Sequence, residues 1–228
     1  MTVRRIAALG LAVAGTVALL GLTTVIGQQS GTGLGPYFLY QAAALGVAAV
    51  VTVGVVLLRR PEVGHLRWGD LGAPARPVTI LAIKQTDTWR RVGPTFVVIV
   101  SVVLGVYLWL GYADRFHSVS LRSWGPAFLA ALPLSASNAL VEELITRWAV
   151  VEAMAGKWSR WAPWVSALIF GSVHWFGIPG GLLGSLMAGF LGWLLARSIQ
   201  DTRGIGWAWI THVVQDVLIF TTTLALIL

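Results

Sequence analysis

Runs of apolar residues long enough to cross a bilayer recur along this whole chain of 228 residues. A hydrocarbon core of about 30 Å needs roughly 20 such residues in a helix. Within it every backbone N–H and C=O must be satisfied inside the protein, so only helices and closed barrels can span. The runs are continuous rather than alternating, which reads as helix. Hydrophobic residues make up 57% of the chain and charged residues 11%. Soluble domains carry about 45–50% apolar and about 25% charged residues, so a soluble globular class is excluded. The sequence predicts an all-α fold, a polytopic transmembrane helical bundle of about seven spans, near 6–27, 36–58, 93–112, 125–155, 161–177, 179–197 and 205–227. The first run is longer than the ~7–15 residues of a signal-peptide core and is read as a retained helix.

The net charge of +7 follows topology. Arg4 and Arg5 precede the first run, the link 28–36 carries no charge, and the link 59–92 holds seven Lys and Arg residues. Lys157 with Arg160, and Arg197 with Arg203, mark two later turns on the same side. Positive charge favours cytoplasmic loops, which places the N-terminus and loop 59–92 in the cytoplasm of a multi-pass protein of the cell membrane. The stretch 78–89 reads either as interfacial or as plain solvated loop. No basic patch interleaved with aromatics occurs, so the partner is the lipid bilayer and not nucleic acid. Cysteine is absent, which excludes disulfides and thiolate metal sites. One integral domain is expected, with helices and a loop over 1–124 and a polar-edged core over 125–228.

Against this background a few polar residues stand out. Each costs roughly 2.5 to 3.5 kcal/mol at membrane depth even on a lenient scale. Glu143 and Arg147, Asn138 and Glu142, Phe170 and His174, and His212 and Asp216 are each four apart, so each pair shares a helix face. At about 1.5 Å per residue, Glu142 and His174 lie roughly 20 Å from the cytoplasmic end, and His212 and Asp216 roughly 10–17 Å. Three helices thus carry polar edges at a common depth. Gly180, Gly184, Ala188, Gly192 and Ala196 form a small-residue stripe that lets a neighbouring helix approach.

These are the parts of water-driven hydrolysis: a base, a partner for it, and donors for a developing oxyanion. Two adjacent carboxylates in low dielectric need compensation to be ionised together. Arg147 is one turn from Glu143, which leaves Glu142 free beside Asn138. His174 is placed to share a water with Glu142. His212 is placed to donate to a carbonyl oxygen, with Asp216 orienting it or binding substrate.

The motifs Glu142-Glu143-Leu-Ile-Thr-Arg147, Phe170-Gly-Ser-Val-His174 and His212-Val-Val-Gln-Asp216 resemble, in order and spacing, those of the CPBP intramembrane proteases. These are the CAAX-protease and bacteriocin-processing, or Abi, proteins. The resemblance covers about 125–220. It implies that Glu142 and His174 activate water, that Glu143 and Arg147 support them, and that His212 and Asp216 bind the oxyanion or substrate. Asp216 departs from an Asn pattern; a carboxylate donates no hydrogen bond unless protonated, so orienting His212 is the role it suits. Trp148 stands where many members have Gly and is expected to alter access. The family leaves a metalloendopeptidase and a metal-independent glutamate mechanism both open, with Glu142, His174 and His212 as the possible zinc ligands. The expected substrate is a peptide or membrane-protein segment. Alternatives are a non-catalytic scaffold or bacteriocin-immunity protein of the same fold, and a proton-coupled transporter.

Overall fold

The computed structural model describes residues 1–29, 33–60, 63–117 and 119–228. Among them are α1 (Val3–Gln29), α2 (Gly35–Arg59), α3 (Trp89–Phe116), α4 (Leu121–Ala153), α5 (Ala162–Val173), α6 (Gly181–Thr202) and α7 (Gly206–Ala225). All but α5 are long and apolar enough to cross a membrane, and the chain is a helical multi-pass membrane protein. The link 28–36 lies partly outside the described residues. In the described residues the only strand-like pairings are two isolated bridges, Pro74 with Thr88 and Val78 with Ile83.

The fifth expected span differs from its prediction. Its helix has 12 residues, roughly 18 Å of rise, too short to cross alone. A single 3-10 turn, His174–Phe176, follows, and the chain then reverses through Gly177-Ile-Pro-Gly into α6. α5 and α6 form a close hairpin. A Cβ on Gly171 would lie 2.8 Å from the Ser185 carbonyl oxygen and 3.1 Å from Gly189 Cα. One on Gly192 would lie 3.1 Å from the Ser166 carbonyl oxygen and 3.2 Å from Phe170 Cβ. Of the small-residue stripe, Gly184, Ala188, Gly192 and Ala196 are buried. Without a hydrophobic drive between helices in lipid, such contact between small residues is what packing relies on.

α4 is the central, irregular element. Ser120 caps it by accepting from the Arg122 backbone N–H at 3.2 Å. It is α-helical over Leu121–Glu143 and again over Ala149–Ala153, with a π-helical turn, Leu144–Trp148, between. Ala8 and Ala12 of α1, Ala44 and Ala48 of α2, Ile145 and Trp148 of α4 and Leu195 of α6 share one core. α3 is peripheral: only 17% of its apolar window is buried, against 50% for α6.

Most of the loop charges gather at one end of this bundle, with Asp114, Arg115 and Arg122 of the α3–α4 link apart from them. The segment 63–88 packs against that end through its residues 64–76, while Ile80 stays exposed. Asp70 N donates to the Thr202 carbonyl at 2.8 Å, and Ile205 N to that of Arg67 at 2.9 Å. Gly69, at φ +83°, makes this crossing possible, since a Cβ there would meet the Thr202 oxygen at 2.7 Å. Arg76 pairs with Asp201, whose carboxylate also accepts from Trp89 Nε1 at 3.1 Å. Glu152, fully buried at the foot of α4, accepts from Gly64 N at 3.0 Å, His65 N at 2.8 Å and His65 Nδ1 at 2.8 Å.

The hairpin contact predicts a specific weakness. Gly171→Val should overpack the α5–α6 seam and cost about 1–3 kcal/mol, read as a lower unfolding midpoint in detergent. A wild-type midpoint would show that the seam tolerates separation.

Candidate active site

Both carboxylates of the Glu142-Glu143 pair point into the bundle, and their surroundings differ. Glu143 and Arg147 are fully buried, with Arg147 Nη1 3.1 Å from Glu143 Oε1. The same Oε1 faces His212 Nδ1 at 2.7 Å. Arg147 Nη1 also donates to Thr146 Oγ1 at 2.9 Å, and Thr146 Oγ1 to the Glu142 carbonyl at 2.7 Å. These contacts surround the π-helical turn, a wider form of helix that occurs mostly as single turns inside α-helices and frequently at functional sites. Ser166 of α5 donates to the Thr146 carbonyl at 2.8 Å, which ties α5 to that turn.

Glu142 keeps 19% of its side chain exposed. Its Oε1 accepts from Asn138 Nδ2 at 3.3 Å, and its Oε2 lies 3.4 Å from His212 Nε2. Asn138 Nδ2 donates also to Asp216 Oδ2 at 3.0 Å, while Asp216 Oδ1 stands 3.5 Å from His212 Nε2. His212 therefore has one nitrogen on Glu143 and the other between Glu142 and Asp216. The sequence assigned the orienting role to Asp216; the shorter contact comes from Glu143. The reason is geometric: α7 crosses α4 so that Nδ1, not Nε2, meets the Glu143–Arg147 pair.

Phe170 is the hub on α5. Its ring lies under the Arg147 guanidinium, 3.4 Å from Cζ to the centroid. It also contacts the rings of His174, at 4.1 Å, and His212, at 5.6 Å edge-on. A cation over an aromatic face is favoured most where water is excluded. His174 Nδ1 donates to the Phe170 carbonyl at 2.9 Å, a neutral acceptor that fixes the ring and leaves Nε2 without that proton. Among the described residues no hydrogen bond joins His174 to Glu142, yet both line one cavity of about 180 Å³ with Tyr40 of α2 and Thr16 and Leu19 of α1.

The sequence reading gave the N-terminal helices no part in the site. Gln41 of α2 enters it all the same: its Nε2 donates to Asn138 Oδ1 at 3.2 Å, and its Oε1 accepts from Ser137 Oγ at 3.2 Å. An amide in the otherwise apolar run of α2 was the available signal. Trp148, expected to alter access, instead fills the core among the alanines of α1 and α2 and lines neither of the two cavities beside the cluster. A zinc ion needs donors converging at about 2.0–2.2 Å. Among the described residues no three His, Asp or Glu side chains converge so, and the set Glu142, His174 and His212 does not fit a metal as it stands.

The buried pair generates a stability prediction. Arg147→Met leaves Glu143 buried without its cation and should cost about 3–5 kcal/mol. Adding Glu143→Gln should recover part of that loss. Equal unfolding midpoints for the single and double variants would show that the pair is not coupled.

Residues 123–218 match the family model for type II CAAX prenyl endopeptidase Rce1-like proteins. No curated protein and no solved structure matches the chain. The segment 123–218, which carries the whole cluster of Glu142, Glu143, Arg147, His174, His212 and Asp216, belongs to the CAAX-protease family, the CPBP intramembrane proteases.

Proposed function

We propose that the chain is an intramembrane endopeptidase that hydrolyses a peptide bond with a water activated by Glu142 and His174. The observation that carries this reading is the division between adjacent carboxylates. Glu143 is fully buried and committed to Arg147 and His212, whereas Glu142 opens onto the cavity that His174 also lines. The first suits a positioning residue and the second a general base. The matched family is named for endopeptidase activity on CAAX prenyl substrates; for this chain the substrate class is a peptide or membrane-protein segment.

The Glu142 carboxylate takes one proton from a water that His174 Nε2 orients as acceptor. The water oxygen bonds to the carbonyl carbon, and the carbonyl electron pair moves onto oxygen. His212, held at Nδ1 by Glu143, offers Nε2–H to that oxyanion. Collapse of the intermediate breaks the C–N bond, and Glu142 returns its proton to the leaving amine. Arg147 offsets the carboxylate charge, and Phe170 keeps both imidazoles and the guanidinium in register.

The test is made on membranes. Glu142→Gln and His174→Ala, made at matched levels, are compared with wild type for the peptide termini they generate. Loss of the general base should slow cleavage by about 10²–10⁴-fold, so termini present with wild type should vanish in both variants. The same termini in all three, with a phenotype kept by wild type, would instead favour a scaffold.

The topology is tested separately. We propose that the charged end, with the N-terminus and segment 63–88, faces the cytoplasm by the excess of positive charge there. The chain has no cysteine of its own, so Lys84→Cys gives a single thiol. It should react with an impermeant maleimide in inverted vesicles and not in intact cells; the reverse pattern would overturn the assignment.

A further inference from the structure

Two carboxylates of the site, Glu142 and Asp216, share one amide donor. Asn138 Nδ2 donates to Glu142 Oε1 at 3.3 Å and to Asp216 Oδ2 at 3.0 Å. An ionised carboxylate only accepts, so both protons of this amide are committed to the two acids. That sets its orientation: Oδ1 faces away from them, toward α2. There Gln41 Nε2 donates to it at 3.2 Å. The other end of the Gln41 amide is held as well. Its Oε1 accepts from Ser137 Oγ at 3.2 Å, a hydroxyl whose one proton is shared with the Pro133 carbonyl at 2.9 Å.

Gln41 has a fixed place in the bundle. It is 5% exposed, and Ala44 and Ala48, which follow it on α2, share a core with Val141 and Ile145 of α4. It lines neither cavity beside the cluster, and its path to Glu142 runs through Asn138. It also lies outside 123–218, the segment that matches the family model. Without Gln41 the Asn138 oxygen loses this donor, and the amide can turn over or swing away. Turned over, it would set Oδ1 against two carboxylates. Swung away, it would leave Glu142 and Asp216 to repel each other. In either case the carboxylate that takes the proton from water loses its aim, and misplacement of about 1 Å can cost 10²-fold in rate.

We propose that Gln41 of α2 is a positioning residue for hydrolysis, holding the Asn138 amide with both N–H groups on Glu142 and Asp216 and thereby aiming the general base. The proposal rests on the endopeptidase reading and deepens it. Asn138 is the bridge between the two acids, and Gln41 is what keeps the bridge the right way round. A helix outside the matched segment is thus part of the working site.

The experiment uses the full chain in liposomes and the peptide that wild type cuts fastest in a proteome-derived library, with kcat and KM measured for each variant. Gln41→Met keeps the length of the side chain and removes the amide. It should lower kcat about three- to ten-fold, as for loss of one hydrogen bond, and leave KM unchanged. Gln41→His carries a ring N–H at similar reach and should restore most of that loss, which a residue that only fills space would not do. Asn138→Ala removes a donor from two charged groups and should cost about ten- to a hundred-fold in kcat. Adding Gln41→Met to Asn138→Ala should cost nothing further, because the two act through one contact. If Gln41→Met does not fold, Ser137→Ala, at a half-buried position, carries the test. It should lower kcat about two- to three-fold with Asn138 present and not at all with Asn138→Ala. Equal kcat for wild type and Gln41→Met, or a double variant whose loss is the product of the single losses, overturns the positioning role and leaves the endopeptidase standing. Wild type that cuts no peptide left uncut by Glu142→Gln removes the endopeptidase reading and the proposal with it.

Discussion

The carboxylate of Glu143, held between a guanidinium and an imidazole, is the contact on which the rest of this bundle is arranged. Taking an ion out of water costs several kcal/mol even after relaxation, and that cost is repaid only when partners are close and well aimed. Here Arg147 supplies one partner from the next turn of α4, and His212 supplies the other from α7. A charge so placed could not be left alone in hydrocarbon. It thereby fixes where α7 must lie against α4, which also brings Asp216 to Asn138 and His212 Nε2 to Glu142.

The second constraint comes from α5. This helix stops where the chain reverses, so its end, and His174 with it, lies beside the cluster. Two contacts hold it there. Glycines at 171, 189 and 192 let the backbones of α5 and α6 touch, and Ser166 binds the carbonyl of Thr146 at the π-helical turn. Phe170 then carries the position of α5 to three charged or titratable groups through one ring. A small shift of the hairpin would be felt at Arg147, His174 and His212 together. The folded segment 63–88 plays a complementary part at the charged end, where it joins the buried Glu152 of α4 to the turn between α6 and α7.

Much of this was legible from residue order alone. The apolar runs gave the helices to within a few residues, because backbone satisfaction in lipid allows so few solutions. Spacing of four named the residues that share a face, and the three motifs named the family segment. The small-residue stripe named a seam, although Gly171 and Gly189, which lie outside it, complete the contact. Other features had no such signal. Nothing in residue order separates a helix of 12 residues from a full span when both are apolar and a Gly-Ile-Pro-Gly turn follows. Likewise Gln41 lies nearly a hundred positions from Asn138, and only the packing of α2 on α4 makes them partners.

The sequence by itself therefore determined the class of fold, the set of polar residues carried within apolar helices, and the family to which their segment belongs. Each follows from local rules: the cost of polar groups in hydrocarbon, helical periodicity, and motif order. The tertiary structure alone decided which carboxylate is committed and which is open, that Glu143 rather than Asp216 makes the close contact to His212, and that Phe170 and His174 divide two cavities of unequal size. Those depend on how helices distant in sequence cross one another. A crossing is set by the summed contacts of many side chains and not by any short run of residues.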